Sequence, residues 1–327
     1  MNILITGGAG FIGYHLAQYH AALGHSVFIM DNLFKMSGKL DKELETVMSQ
    51  SNVRIIQVDL TRPIKKLDVP VHLDIVYHLA AINGTELFYK IPYQVARNNL
   101  LMTLNLLDWL EDYKVGRLMY SSSSEVYAGG EGVGLLKIPT DESALVVFAQ
   151  PTNIRFSYGT SKFMGEFLCS HFGKTFNTPV TIIRYHNIYG PRMGNRHVIP
   201  EFIYRLKERE NPFPIYGGTE TRAFCYVDDA VVATHLVAVN KNCENEIIHI
   251  GNSTEEITIE NVARLIMNHL GEEFDIKECG SRSGSVSRRC PDTHKLKRLV
   301  GFEANINLKK GLSRTIDWYL NSFFAKQ

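Results

Sequence analysis

The chain of 327 residues contains no Cys-x-x-Cys pair; its five cysteines, Cys169, Cys225, Cys243, Cys279 and Cys290, are scattered. That spacing argues against a disulfide framework or a zinc site and suits reduced thiols in a cytoplasm. The twelve histidines include no His-Glu-x-x-His, so no metal is expected. No apolar run approaches the ~20 residues that a membrane helix needs. No basic segment precedes the apolar N-terminal stretch, so no secretory leader is expected either. Charge is nearly balanced, with 35 Lys+Arg against 34 Asp+Glu, which leaves no electrostatic footprint for nucleic acid. Repeats and low-complexity tracts are absent. With 45% hydrophobic and 21% charged residues, the composition is that of an ordinary globular protein.

What is present begins at once. The apolar run Asn2–Thr6 leads into Gly7, Gly10 and Gly13, and a helical pattern follows. Gly7 permits a tight turn, Gly10 lets a pyrophosphate approach the backbone, and Gly13 lets the helix pack on the strand. The helix then offers free N–H groups and the positive end of its dipole to phosphate. A second strand, Ser26–Met30, ends at Asp31 and Asn32, about 20 residues past the glycines. A carboxylate there accepts both ribose hydroxyls of an adenosine and repels a 2′-phosphate, which favours NAD over NADP. An aspartate that simply opens a turn is the competing explanation.

Strand-like runs at 53–58, 74–79, 117–120 and 180–184 alternate with helical patterns, notably Tyr93–Asp112 and Phe156–Phe172. Such alternation predicts right-handed crossovers and an α/β fold of the Rossmann type, a doubly wound parallel sheet. Ligands in such sheets lie at the carboxyl ends of the strands, where Gly7, Asp31, Asp59, Ala80 and Ser121 fall. Beyond about residue 187 the pattern turns irregular. A cofactor-binding part, 1–186, is therefore expected to carry a smaller C-terminal substrate-binding lobe, 187–327. A strand near 246–250 is expected to return to the main sheet.

Tyr158 and Lys162 stand four apart on one helical face. A phenol of pKa about 10 is too weak a base at neutral pH. A nearby ammonium, together with a positive nicotinamide ring, would bring it into range. Helix surfaces carry the same spacing by chance, so the pair takes its meaning from its neighbours. Thr6–Gly13, Val58-Asp59-Leu60, His78–Ala81, Ser121–Tyr127, the tyrosine–lysine pair, Arg184–Pro191 and Thr221–Asp229 follow in order. Together they make the chain resemble the extended short-chain dehydrogenase/reductases over nearly its whole length. Within them it is most similar to the nucleotide-sugar epimerase/dehydratase/decarboxylase group.

The resemblance implies NAD held by Gly7, Gly10, Phe11, Ile12, Gly13, Asp31 and Asn32. Further contacts would come from Asp59, Leu60, Leu79, Ala80, Ala81, Asn98 and Ser121, and from Tyr158, Lys162 and Tyr185 around the nicotinamide. It implies that Tyr158 takes the proton of the sugar C4 hydroxyl, with Ser123 bonded to the same oxygen. Asn187 and Arg222 would grip the diphosphate, an apt role for a bidentate guanidinium. Asn83, Val198 and Tyr216 complete the substrate contacts. It also implies a homodimer paired through the two long helices.

A C4 ketone opens three routes: 4-epimerisation, 4,6-dehydration, and loss of carbon dioxide when C6 is a carboxylate. Glu125 occupies the slot where dehydratases and uronate decarboxylases of the group carry glutamate. Ser124 stands where a dTDP-glucose dehydratase has its acid, which disfavours that reaction. Arg288-Arg289-Cys290-Pro291-Asp292 looks like the decarboxylases' arginine segment, with Arg289 the candidate at the sugar; phosphate binding or solvent exposure competes. Arg282 and Ser285 match a ribose-contacting segment, although Ser285 replaces its acid or histidine. The expectation is decarboxylation of a nucleotide-linked uronic acid, then 4-epimerisation, then dehydration. A non-catalytic dinucleotide sensor is a remote fourth. Three departures stand out: an unfamiliar loop at 81–89, a glycine-rich segment at 129–136 expected to move over the site, and Arg155. That arginine faces either an acidic sugar or one of Asp141 and Glu142.

Overall fold

Runs of Ile, Val and Leu separated by helical patterns form seven parallel strands. They are β1 (Asn2–Thr6), β2 (Ser26–Asp31), β3 (Val53–Gln57), β4 (Ile75–His78), β5 (Leu118–Ser123), β6 (Val180–Tyr185) and β7 (Ile247–Ile250). The structure is a computed structural model, and it describes every residue except 35–37, 39, 149, 282–284 and 324–327. The strand order is β3-β2-β1-β4-β5-β6-β7, the doubly wound order with one strand added. Its direction of winding reverses between β1 and β4, and that crevice is where such sheets bind dinucleotides.

Alternation along the strands builds two cores. Ile3, Ile5, Val27, Ile29 and Ile183 face one side of the sheet, where helices Phe11–Ala22 and Val227–Val239 pack. Leu4, Phe28, Met30, Val76, Leu118 and Ile182 face the other, beneath Pro92–Leu110 and Phe156–Phe176. With period-two side chains and helices on both faces, the strands read as nearly continuous apolar runs. Both long helices differ from expectation only at their ends. Pro92 starts the first, where its missing N–H costs nothing. Asn177 in the left-handed region (φ 51°) stops the second.

The second half is interleaved with the first. Val227–Val239 covers the sheet beside Phe11–Ala22, and β7 joins its edge along β6. The remainder forms short pairings, of which one matters most: Thr221–Ala223 lies between Glu256–Thr258 and Arg288–Arg289.

A polar seam runs through the apolar layer under the long helices. Arg184 of β6 donates from Nε and Nη2 to Glu166 at 2.8 and 2.6 Å. Ser122 of β5 donates to the same carboxylate at 2.5 Å. The remaining Arg184 terminal nitrogen reaches the Tyr127 hydroxyl at 2.5 Å, which lies 2.8 Å from His249 Nε2 on β7. Burial disfavours the charge on Arg184, but the Glu166 carboxylate outweighs it and raises the guanidinium above its ordinary value. Arg184→Leu, which strands a buried carboxylate, should lower stability by about 3–5 kcal/mol in chemical denaturation, and Glu166→Leu in the same chain should recover part of that loss.

Candidate active site

The glycine loop closes the crevice between β1 and β4. Gly7 adopts φ +68°, and a Cβ there would lie 2.7 Å from the Ala80 nitrogen. A Cβ on Gly13 would lie 2.4 Å from the Gly7 carbonyl. The loop thus tolerates no side chain at the places where helix and strand meet. The Phe11–Ala22 helix begins just behind it with no side-chain cap, so its first N–H groups remain for an anion. Leu79 and Ala80 N–H groups bond Thr6, holding the end of β4 against the loop.

Asp31 engages both carboxylate oxygens locally, accepting from Ala9 N at 3.1 Å and Leu33 N at 2.8 Å. A carboxylate offers about four acceptor positions, so two remain for ribose hydroxyls. Beside it, Asn32, Phe34, Gln57, Val58 and Asp59 line a cleft of about 600 Å³, placed for an adenine. Leu60 is buried in the core behind this cleft. The cradle, the unspoken-for helix terminus and the carboxylate together fit a dinucleotide.

Catalytic candidates converge beyond the loop. Tyr158 and Lys162 are both buried, 5% and 3% exposed. The Lys162 ammonium donates to the Ser121 carbonyl at 2.6 Å and lies 6.0 Å from the Tyr158 ring. Burial lowers Lys162 to about 8. Burial, then the Glu125 charge, raise the Tyr158 phenol above its ordinary value, against a hydrogen bond with Ser123. Without a cationic ring beside it, the phenol is neutral, and Lys162 does not offset those two effects. The Ser123 hydroxyl also accepts from Glu125 N at 3.2 Å. Ser124 is buried in the same short turn, Ser124–Tyr127.

A cluster of charges adjoins this pair. Arg289 donates from Nη1 to Glu125 at 2.5 Å and from Nη2 to Glu131 at 2.8 Å. Arg155 Nη2 lies 3.3 Å from the other Glu125 oxygen. Burial alone would raise the Glu125 carboxyl, but Arg289 and Arg155 hold it down to about 2. Arg222, opposite Arg289 across the short strands, reaches Glu220 at 3.0 Å and the Thr221 carbonyl at 2.8 Å. Burial and the Arg289 charge pull it below its ordinary value.

Several expectations change here. Of the two neighbouring arginines, Arg289 is buried in the cluster while Arg288 bonds Glu256 on the outside. Arg155 meets Glu125, whereas Glu142 accepts from His249 N and Asp141 from Ser143. The glycine-rich segment does not begin as a mobile cover: Ala128–Gly132 is helical, and its Glu131 is tied to Arg289. Residue 140 then pairs with the arginine segment, Thr140 N to Cys290 O at 3.0 Å and Asp292 N to Thr140 O at 2.7 Å. Ser285 donates to Glu220 at 2.6 Å, and Arg282 lies outside the described residues. Tyr185 sits beside Ser123 in the sheet, with its hydroxyl on Thr234. Asn187, at φ 44°, donates to the Ala223 carbonyl. Asn83 and Tyr216 are exposed, and Val198 opens the helix Val198–Lys207.

Asn98 and its neighbour differ. Asn98 accepts an exposed hydrogen bond from Arg97. Asn99, unremarked in the sequence, is buried and bridges the Ile82 backbone to Ser161. Phe88 and Glu131 are further residues that the motifs did not reveal. Phe88, on the short helix Thr85–Lys90, stacks on the Tyr158 ring at 4.7 Å.

The model of the NAD dependent epimerase/dehydratase family matches residues 3–251, and the chain belongs to that family. It is an enzyme fold built for NAD. Its relatives narrow the comparison. UDP-N-acetyl-alpha-D-glucosaminuronate decarboxylase of Bacillus cytotoxicus is 35% identical over 327 residues, 97% of each chain. UDP-glucuronic acid decarboxylase 1 of Xenopus tropicalis is 32% identical over 97% of this chain and 72% of its own. Among solved structures, UDP-glucuronic acid 4-epimerase of Bacillus cereus, in complex with UDP-glucuronic acid and NAD, superposes with a TM-score of 0.83. It is 27% identical, covering 97% of this chain and 98% of the other.

Asp31→Ala should weaken NAD binding roughly tenfold or more, the scale of lost hydrogen bonds to a charged group, and should narrow the preference over NADP. Calorimetric titration with both dinucleotides measures the two effects.

Proposed function

We propose that this enzyme decarboxylates a nucleotide-diphosphate uronic acid after oxidation at C4. The observation that carries this is the ionised Glu125, held between Arg289 and Arg155 next to Tyr158 and Ser123. Epimerisation of a neutral sugar at C4 requires nothing charged on its C5–C6 side. Here two carboxylates and two guanidiniums crowd that side, an arrangement suited to a substrate that is itself charged there. Two decarboxylases that this chain matches over nearly its whole length support the same reading.

Bound NAD supplies a hydride acceptor at C4. Ser123 and Tyr158 are placed to bond the C4 oxygen, with Tyr158 taking its proton. The resulting β-keto acid loses carbon dioxide, and the electron pair passes to the C4 oxygen, where the same two hydroxyls donate to the growing charge. Lys162 keeps a positive charge next to the phenol during these transfers. Arg289, anchored by Glu125 and Glu131, lies toward C5, where a proton drawn from solvent takes the place of the lost carboxylate. Arg222 and Asn187 serve the diphosphate, with Arg222 exchanging Glu220 for phosphate oxygens.

We also infer a homodimer. Tyr93, Phe163, Met164 and Phe167 leave an apolar face on the two long helices, each 39% exposed or more, larger than isolated surface residues explain. Phe167→Glu should convert the protein to monomers in analytical ultracentrifugation. Five free thiols suit a cytoplasmic location. No described helix is long and apolar enough to cross a membrane.

The deciding assay incubates the NAD-loaded protein with UDP-glucuronate, its 2-acetamido counterpart and UDP-glucose, and weighs the products. A uronate should lose carbon dioxide; a product of unchanged mass would make the enzyme an epimerase. Glu125→Ala should stop carbon dioxide release while NADH absorbance still appears.

A further inference from the structure

Arg155 stands at the start of the helix that carries Tyr158, three residues ahead of it and on the same face. Its side chain is only 10% exposed, yet its one ionic contact among the described residues is Nη2 to Glu125 at 3.3 Å. Among the described residues nothing pairs with its Nε or Nη1. The other guanidiniums of the cluster are occupied. Arg289 gives Nη1 to Glu125 and both Nε and Nη2 to Glu131. Arg222 gives its two terminal nitrogens to Thr221 and Glu220.

A guanidinium carries five donors in a planar fork. One edge of Arg155 holds Glu125, which itself adjoins Ser123 and acts on Tyr158, and the other edge is without a partner among the described residues. In a hexuronate the C6 carboxylate is joined to C4 through C5 alone, so it must enter beside Glu125. Two carboxylates cannot sit together there without a cation between them.

We propose that Arg155 receives the C6 carboxylate of the substrate and sets the preference for an acidic over a neutral sugar, an inference that rests on the uronate substrate proposed above. The same fork bridges Glu125 and the incoming carboxylate. Arg155 therefore acts on binding more than on bond breaking, because the charge it holds disappears when carbon dioxide leaves. The repulsion from Glu125 works in the opposite sense and favours that departure.

UDP-glucuronate and UDP-glucose, which differ only at C6, test this in the NAD-loaded Tyr158→Phe protein, where no turnover disturbs calorimetric titration. That protein should bind the glucuronate more tightly. Adding Arg155→Gln should weaken glucuronate binding about 10- to 100-fold, the scale of lost charge-assisted hydrogen bonds. UDP-glucose affinity should stay the same and so report an intact fold. Arg155→Lys, which keeps the charge without the fork, should fall between them. In turnover, Arg155→Gln should raise KM for the uronate by a larger factor than it lowers kcat. If the glucuronate preference survives Arg155→Gln, or both ligands weaken equally, the assignment is overturned while the uronate substrate stands. If the Tyr158→Phe protein shows no preference at all, and the unaltered enzyme releases no carbon dioxide, the uronate substrate itself fails.

Discussion

The buried pair of Arg184 and Glu166 is the constraint on which the catalytic geometry depends. Tyr158 and Lys162 ride on one helix, Ser123 on the end of β5 and Glu125 in the turn that follows it. Glu166 belongs to that helix and bonds both β5, through Ser122, and β6, through Arg184. Arg184 passes the connection on to Tyr127, in the turn that carries Glu125, and Tyr127 passes it to His249. His249 in turn bonds the Asp292 carbonyl at 3.3 Å, close to the arginine that meets Glu125. Burial, then the charge of Arg184, hold His249 neutral, down to about 3, so the chain of bonds keeps one protonation pattern across the physiological range. Buried ion pairs contribute little net stability compared with apolar packing, but they do specify register. Here the register is the distance between a phenol and a serine hydroxyl.

Around that frame the sugar side is electrically balanced. Three glutamates, Glu125, Glu131 and Glu220, interlock with three arginines, Arg155, Arg222 and Arg289. A site arranged this way is stable while empty, because each buried charge has a partner. In the function proposed, an anion enters by partner exchange, and the cost of opening one internal pair offsets part of the gain from binding. Selectivity then depends on which guanidinium edge is already unpaired.

Much of the sheet was legible because its signals are local. The glycine spacing, the carboxylate ending β2 and the alternation of Ile and Val along β1 and β2 need no distant partner to be read. The reactive pair was legible for the same reason, since one helical turn brings Tyr158 and Lys162 together. What escaped depends on contacts across long sequence separations. Glu131 looks like one acid in a glycine-rich loop until Arg289, 158 residues away, reaches it. Asn99 and Asn98 look alike, and only the rotation of the helix decides which faces Ser161. The strands Thr221–Ala223 and Arg288–Arg289 are two or three residues long, too short for any periodicity. The acidity expected of Tyr158 belongs to the state with a cationic ring beside it; in the protein alone, burial and the Glu125 carboxylate raise the phenol, which spacing could not report.

The strap between residue 140 and the Cys290–Asp292 backbone has a wider consequence. Two stretches of chain about 150 residues apart, one bearing Glu131 and the other Arg289, form a single wall, joined by two backbone hydrogen bonds and an ion pair. Neither can drift during divergence without the other. Exchanging the 128–155 segment alone between relatives would take Glu131 from Arg289 and leave it only Glu125, whereas exchanging both stretches together would move the wall intact from one scaffold to another.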